Sequence, residues 1–177
     1  MTTLVQFEQL KSAGYNTIPV YRQRLADTET PLSVFARFKE QKQAYLFGSV
    51  EGGEKWARYS MIGLGESIVF SCNAGVLTIQ QADGMMTQQD CADPFQYIRE
   101  FQSQFKVPTQ AELPDLPNFT GGLVGYLGYD AVRYIEPKLK NVPTADPVGL
   151  PDLWLMLSQT VIVFDNLKDT LFLIHHA

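Results

Sequence analysis

One segment, residues 45–60, brings together side chains that can recognise a small polar ligand. If Tyr45 to Phe47 form a buried strand, the hydroxyl of Ser49 lies at the rim of the sheet. The pair Gly52-Gly53 can adopt the positive φ angles of a tight reversal, which returns Arg58 beside the same rim. A hydroxyl, a fixed positive charge and nearby aromatic surface suit a zwitterion. The pattern therefore favours a binding site for an amino acid.

Ser49 and Arg58 also have simpler interpretations. As a nucleophile, Ser49 lacks a base, because neither histidine has a sequence context that ties it to this serine. A serine after a buried strand often only satisfies a neighbouring backbone group, and the residues alone favour that structural role. Arginines near turns are commonly solvated or form weak surface pairs. At this point the ligand-binding interpretation stays one of several.

The sequence holds none of the common catalytic motifs. It has no GxSxG, no P-loop, no HExxH and no GxGxxG after a strand. The glycine-rich run 121–128 lacks the lysine of a P-loop, so it predicts a sharp bend or a close approach of another backbone instead of a phosphate site. His175 and His176 are adjacent and would point to opposite faces of a strand, so they cannot chelate one metal ion. Because the acids form no dyad or magnesium cage, the chain is predicted to carry neither a catalytic residue nor a metal site.

The composition is that of a globular protein and limits the classes of partner. With 177 residues, 45% of them hydrophobic and 19% charged, the chain fits one domain. The net charge of -5 argues against a nucleic acid or an anionic membrane as partner. Cys72 and Cys91 lack CxxC spacing and follow no secretory segment, so they predict reduced thiols in a cytoplasmic protein, with a disulfide as the alternative. No apolar stretch reaches the roughly 18 residues of a membrane helix.

Short antiparallel hairpins, separate from the helices, predict an α+β fold. Helices are predicted over Thr2–Ala13, from Thr30-Pro31 with Leu32, Phe35 and Phe38 as its core stripe, from Asp93-Pro94 to Val107, and over Gly128–Ile135. Strands are predicted over Ile18–Leu25, Ala44–Val50, Tyr59–Gly63, Ser67–Asn73 and Val76–Gln81, with a late hairpin of Leu153–Asp165 and Thr170–His175. The chain stops directly after an apolar strand, which indicates a fragment of a longer protein.

Four stretches resemble the N-terminal domain of anthranilate synthase component I. The longest is residues 46–63, LFGSVEGGEKWARYSMIG. The others are IPVYR at 18–22 with TPLSVF at 30–35, FTGGLVGYLGYD at 119–130, and the late hairpin from Leu153 to Asn166. The resemblance covers nearly the whole chain in order. It implies a layered α/β/β/α sandwich, with two antiparallel sheets and helices packed outside, and makes residues 1–177 an N-terminal regulatory domain.

The resemblance also implies an activity that this chain would not perform alone. Full-length enzymes of the family convert chorismate and ammonia to anthranilate and pyruvate with Mg²⁺. A glutamine amidotransferase subunit delivers the ammonia. The residues that bind chorismate and magnesium belong to a C-terminal domain that is absent here, so the chain alone is expected to be inactive.

What the resemblance assigns to this chain is a feedback site for L-tryptophan. Ser49 falls at the position of the tryptophan-site serine of the family, and Phe47 and Gly48 precede it. Arg58 matches a position where the family carries a basic residue, and Pro31 matches a proline near the pocket. The family commonly has an acidic residue directly before the serine, where this chain has Gly48. That departure removes a partner for the ligand's ammonium group and bears on tryptophan affinity more than on the fold.

Two other functions fit the same residues. The large subunit of aminodeoxychorismate synthase, in the folate pathway, belongs to the same superfamily. The match over 49–63 and the run 121–130 favour the tryptophan pathway over it. A free-standing amino-acid-binding module is the alternative from another class, and coding that continues past Ala177 into a further domain would exclude it.

Overall fold

The chain forms two compact units, each assembled from separate stretches of sequence. A computed structural model describes residues 1–48, 58–65, 68–139 and 149–177. The first unit comprises Met1–Glu66, Phe105–Gly122 and Ser158–Ala177, and the second comprises Ser67–Gln104 and Leu123–Leu157. The helices are α1 (Leu4–Ser12), α2 (Pro31–Phe35) and α3 (Pro94–Ser103), with short 3-10 helices at Ala36–Phe38, Tyr129–Tyr134 and Pro137–Leu139. The strands are β1 (Pro19–Leu25), β2 (Ala44–Phe47), β3 (Tyr59–Leu64), β4 (Ile68–Asn73), β5 (Val76–Gln81), β6 (Met86–Asp90), β7 (Gly122–Leu127), β8 (Leu153–Ser158), β9 (Thr160–Asp165) and β10 (Thr170–His176).

The first unit is built on a five-stranded antiparallel sheet. Its strand order is β1-β10-β9-β3-β2, so β1 and β2 are the edge strands. Because side chains alternate across a sheet, each face carries its own apolar cluster. One cluster packs α1 and the 113–119 segment on β9 and β10 through Val161 and Phe172. The other packs Val34 of α2 on Ile62 and Phe164.

The second unit contains the second sheet, with the order β6-β5-β4-β8-β7. Helix α3 supplies Ile98 to a cluster that includes Phe70 and Leu77 of the sheet. Cys72 and Cys91 lie in the same cluster as free, buried thiols, in agreement with the prediction of reduced cysteines. Burial raises the pKa of both thiols, because the charged thiolate is poorly solvated there. The α+β fold with two antiparallel sheets is thus confirmed.

Two predicted helix starts are confirmed by their caps, whereas the helix predicted over Gly128–Ile135 is a 3-10 helix without a side-chain cap. The Thr30 hydroxyl accepts from the amide of Ser33 at 3.0 Å, and the Ser33 hydroxyl accepts from the amide of Thr30 at 2.9 Å. This reciprocal capping box, with Pro31 as the first helical residue, begins α2. Asp93 caps α3 by a single side-chain bond, accepting from the amide of Gln96 at 2.8 Å, and Pro94 is the first helical residue. The predicted core stripe of α2 is wrong at Leu32, which is 67% exposed. The α-helix is only one turn long, and Val34 takes the buried position.

The predicted strand Leu153–Asp165 is in fact two strands that belong to different sheets. β8 ends at Ser158 and β9 begins at Thr160, so the long apolar run divides at Gln159. The hairpin with β10 is confirmed for β9 alone, with Thr170 opposite Asp165. Strand β6 was not predicted, because all its residues are exposed and it carries no apolar alternation.

The close backbone approach predicted for the glycine-rich strand is confirmed at two positions. A Cβ on Gly125 would lie 2.0 Å from the carbonyl oxygen of Trp154. Gly121 has a φ of +150°, and a Cβ there would lie 2.7 Å from the backbone carbonyl oxygen of Ser158 and 2.7 Å from the ring of His176. At both positions, close packing within the same unit therefore leaves no room for a side chain.

His176 is a buried histidine that makes the stability of the first unit depend on pH. Its side chain lies 3.2 Å from the Thr120 hydroxyl, and its pKa is lowered by burial and by the nearby His175. A pKa below the unfolded value of about 6.5 means that the unfolded chain takes up the proton more readily. The free energy of unfolding should therefore be at its full value well above pH 6.5 and fall as the pH drops below about 6.5. His176→Gln should flatten that part of the profile in urea unfolding experiments. Parallel profiles for both proteins would contradict this assignment.

Candidate functional site

Strands β2 and β3 form the hairpin that was predicted to carry the ligand site. They pair in antiparallel register, with Phe47 opposite Met61. Gly48 is the last residue described before the reversal, and Arg58 is the first described after it. Ser49 and the predicted turn at Gly52-Gly53 lie outside the described residues, so the prediction for Ser49 stays a prediction.

Phe47 is exposed, although the sequence predicted that it would be buried. Because β2 is an edge strand, one side of Phe47 faces solvent and 53% of the residue is accessible. Its ring lies 4.9 Å from the ring of Tyr45, two residues earlier on the same face of the strand. Tyr45 lies opposite Gly63, and its ring occupies the space that a side chain on Gly63 would need. The Tyr45 hydroxyl then donates to Ser158 at 3.2 Å. The exposed ring of Phe47 thus packs against Tyr45, which is held by its contacts with Gly63 and Ser158.

Arg58 forms a two-pronged ion pair with Asp165 at the end of β9. Its Nε donates to Oδ1 at 3.0 Å and its Nη2 donates to Oδ2 at 2.6 Å. The Asp165 side chain is 2% exposed, whereas that of Arg58 is 32% exposed. The guanidinium carbon also lies 4.8 Å from the centre of the Tyr59 ring, within the range of a cation–π contact. The positive charge that was predicted to attract a ligand is therefore already bound to a carboxylate of the protein.

The ion pair shifts the pKa of both partners. Burial raises the pKa of the Asp165 carboxyl, but the hydrogen bonds and the charge of Arg58 outweigh burial and hold that pKa below its ordinary value. The pKa of Arg58 is raised, chiefly by its hydrogen bonds to Asp165. Asp165 also accepts from the backbone amide of Leu167 at 3.2 Å. The carboxylate thus stays charged at neutral pH and is shared between the guanidinium and the turn that follows β9.

A second set of bonds joins the same two chain segments. The backbone amide of Asn166 donates to the carbonyl oxygen of Arg58 at 2.8 Å. The Asn166 side-chain amide donates to the Ser60 hydroxyl at 3.2 Å, and Ser60 is 4% exposed. We call Arg58, Ser60, Asp165 and Asn166 the clasp. The backbone and side-chain hydrogen bonds together hold the start of β3 against the end of β9.

The other predicted ligand residues are not all on one face of the sheet. Leu46 packs in the apolar cluster beneath α2, which begins at Pro31. Phe47 is the next residue on β2, so its side chain points to the opposite face. Gly48 is exposed, and no described atom lies within 4 Å of the position that its Cβ would take. The grouping of Pro31 with Phe47, Gly48, Ser49 and Arg58 stays a prediction.

Asp165 and Asn166 are site residues that the sequence argument missed. Asp165 is one of several acids near turns, and no local pattern marks it. The signal that could have found it is register, because an antiparallel pairing of β3 with β9 brings Tyr59 opposite Asp165. The pairing of those two strands was not part of the prediction.

The described residues group no metal ligands, and a cavity beside three of their prolines is too small for a ligand. Among residues 1–48, 58–65, 68–139 and 149–177, no three His, Cys, Asp or Glu side chains are grouped so that they could hold a metal ion. A cavity of about 70 Å³ lies beside Pro19, Pro108 and Pro117, far below the roughly 300 Å³ of a small-molecule site. In the part of the chain that the structure describes, no helix is long and apolar enough to cross a membrane.

Comparisons with known proteins place the chain beside one set of relatives. It is 80% identical over 177 residues to anthranilate synthase component 1 of Acinetobacter calcoaceticus, covering 100% of this chain and 36% of that protein. It is 47% identical over 163 residues to the protein of the same name from Pseudomonas aeruginosa, covering 92% of this chain and 32% of the relative. The chain thus spans about a third of the length of the curated relatives it matches.

No family model matches the chain. The crystal structure of anthranilate synthase component I from Streptococcus pneumoniae aligns with 86% of this chain and 31% of its own, at a TM-score of 0.49 and 23% identity.

Proposed function

Because the chain belongs to the anthranilate synthase component 1 family and matches the N-terminal part of its relatives, we propose that it is the regulatory region of an anthranilate-forming enzyme. The observation that carries this proposal is the 80% identity along the entire chain. The full-length protein would act as a lyase that converts chorismate and ammonia to anthranilate and pyruvate in tryptophan biosynthesis. Residues 1–177 would form its N-terminal domain and would be inactive without the remainder.

The chemistry of the reaction is proposed to lie outside this chain. The described residues do not fit a magnesium ion, since they hold no group of three potential ligands. Following the family resemblance, we infer that magnesium and chorismate would be bound by a C-terminal domain outside residues 1–177. A glutamine amidotransferase subunit, the second component that the name of the relatives implies, would supply the ammonia.

The contribution of this chain would be a feedback site for L-tryptophan on the β2–β3 hairpin. Ser49 and Gly48 would contact the amino acid, with the exposed ring of Phe47 available to its indole. Arg58 and Pro31 complete the proposed set. Aromatic rings attract one another when their centres lie about 4.5–7 Å apart. The exposed ring of Phe47, which packs on Tyr45, would leave room for the indole of tryptophan at such a distance.

Inhibition by tryptophan requires only a modest difference in affinity. Tryptophan must bind one arrangement of the full-length protein more tightly than the arrangement that binds chorismate. A 100-fold loss of substrate affinity corresponds to a coupling free energy of about 2.7 kcal/mol. A few hydrogen bonds and the burial of one indole ring together supply a free energy of that size.

The experiment that tests the proposal is an assay of the full-length protein with its amidotransferase partner. We expect anthranilate to form from chorismate and glutamine, L-tryptophan to inhibit its formation, and residues 1–177 alone to form none. Tryptophan at 100 times its dissociation constant should stabilise the full-length protein by about 2.7 kcal/mol, which thermal unfolding detects. L-Phenylalanine at the same concentration is the matched control. A protein that forms aminodeoxychorismate instead would contradict the proposed reaction, and an unshifted melt with tryptophan would contradict the proposed site.

A further inference from the structure

The clasp joins parts of the chain that are far apart in sequence. Arg58 and Asp165 are separated by 107 residues, and Ser60 and Asn166 by 106. Between them, the clasp residues share two hydrogen bonds of the ion pair, one backbone bond and one side-chain bond. Residues 58–60 come directly after the segment that holds Ser49. The clasp therefore fixes one end of the segment to which the feedback site is assigned.

The geometry of Arg58 does not suit a direct receptor for the carboxylate of a ligand. Its Nε and Nη2 form the two-pronged edge that normally binds a carboxylate, and Asp165 already occupies that edge. Since Asp165 is 2% exposed, its charge depends on Arg58 for compensation. A ligand that withdrew the guanidinium would leave this carboxylate buried and unpaired.

We propose that Asp165 is a positioning residue for the tryptophan response, and that Arg58 acts in that response as an anchor and not as the receptor for the ligand's carboxylate. Asp165 holds the guanidinium at the end of β9 and thereby sets the position at which the chain enters β3. This inference rests on the proposed function, because it concerns regulation at the same hairpin.

The test compares three variants of the full-length protein in complex with its amidotransferase partner. Anthranilate formation is measured against L-tryptophan concentration, together with kcat and the KM for chorismate. Asp165→Asn removes the charge with little change in shape. Arg58→Lys keeps a cation beside Asp165 but cannot form two parallel bonds. Glu40→Gln is the control, since it removes an exposed pair with Lys39 at 3.9 Å in the same unit.

We expect Asp165→Asn and Arg58→Lys each to raise the half-inhibitory concentration of tryptophan about tenfold. Both should leave kcat and KM within about twofold, which general damage to the fold would not do. Glu40→Gln should leave all three quantities unchanged. Arg58→Lys keeps the buried carboxylate paired, so it gives an answer even if the asparagine variant does not fold.

Each other outcome overturns the inference. If Arg58 were the direct receptor, Asp165→Asn would free its guanidinium and lower the half-inhibitory concentration. If the clasp had no part in regulation, tryptophan would inhibit both variants as it inhibits the native protein. If tryptophan did not inhibit even the native protein, the proposed function itself would fail and this inference with it.

Discussion

Replacing Gly125 with alanine is expected to destabilise the protein by about 3 kcal/mol, the upper end of the effect of overpacking. The new Cβ would lie 2.0 Å from the carbonyl oxygen of Trp154 and 2.9 Å from the Cα of Leu155. Both atoms belong to the backbone of β8, so no side-chain rotation can relieve the overlap. Strand β7 is at the edge of its sheet, and we expect it to separate from β8. Urea unfolding measures the loss, and hydrogen exchange of the β7 and β8 amides locates it.

Two further Gly→Ala variants make the comparison quantitative, because the chemical change is the same in each. Gly48 has no described atom within 4 Å of its Cβ position, so Gly48→Ala should change stability by less than about 0.5 kcal/mol. At Gly63 the overlap is with the ring of Tyr45, a side chain that can rotate away at the expense of its bond to Ser158. Gly63→Ala should therefore destabilise the protein by about 1–2 kcal/mol, more than Gly48→Ala and less than Gly125→Ala. Equal losses at all three positions would show that helix and strand propensity, and not these contacts, governs the effect.

Local signals in the sequence were sufficient for two helix starts and for the tight turn at residues 73–75. The Thr30-Pro31 and Asp93-Pro94 pairs each combine a capping side chain with a residue that is favoured at the first helical position, and both helices begin there. The turn at 73–75 was also predicted, and Ala74 and Gly75 have φ angles of +48° and +80°. In each case the physical cause lies within four residues of the element that it determines.

Features that depend on pairing between distant strands could not be read in the same way. The run from Leu153 to Asp165 is apolar on both sides of Gln159, so nothing local shows that it serves two sheets. Strand β6 is exposed throughout and is held by the backbone bonds of β5, which carry no sequence signature. An edge strand of this kind can be inferred only from the turn that precedes it.

The candidate site shows the same limit. The hairpin was predicted from the two strands and the glycines between them, and the pairing of β2 with β3 is confirmed. The partner of Arg58 was not found, because Asp165 becomes its neighbour only when β9 pairs with β3. A sequence can thus indicate which residue carries a charge while leaving open what that charge already binds.

Replacing Ser49 with arginine is expected to raise the half-inhibitory concentration of tryptophan at least about 100-fold in the full-length protein, about 2.7 kcal/mol of lost coupling. Ser49 is proposed to contact tryptophan, and arginine there would replace a small hydroxyl with a long cation that repels the ligand's ammonium group. The value of kcat should stay within about twofold, because chorismate is proposed to bind outside this chain. Tryptophan titration of anthranilate formation measures both quantities, and equal losses of turnover and inhibition would contradict a purely regulatory role.

The neighbouring position offers a variant with the opposite expected sign. By the family resemblance, Gly48 is expected where an acid is common. It is exposed, with no described atom near its Cβ position and no positive φ that would require glycine. Gly48→Glu should therefore fold normally and supply a carboxylate to the ammonium group of tryptophan. A charge-assisted hydrogen bond of about 1.5 kcal/mol would lower the half-inhibitory concentration about tenfold. Gly48→Gln, which has the same length without the charge, is the matched control. If the glutamate and glutamine variants respond alike, the effect is not electrostatic, and the carboxylate does not meet the ligand.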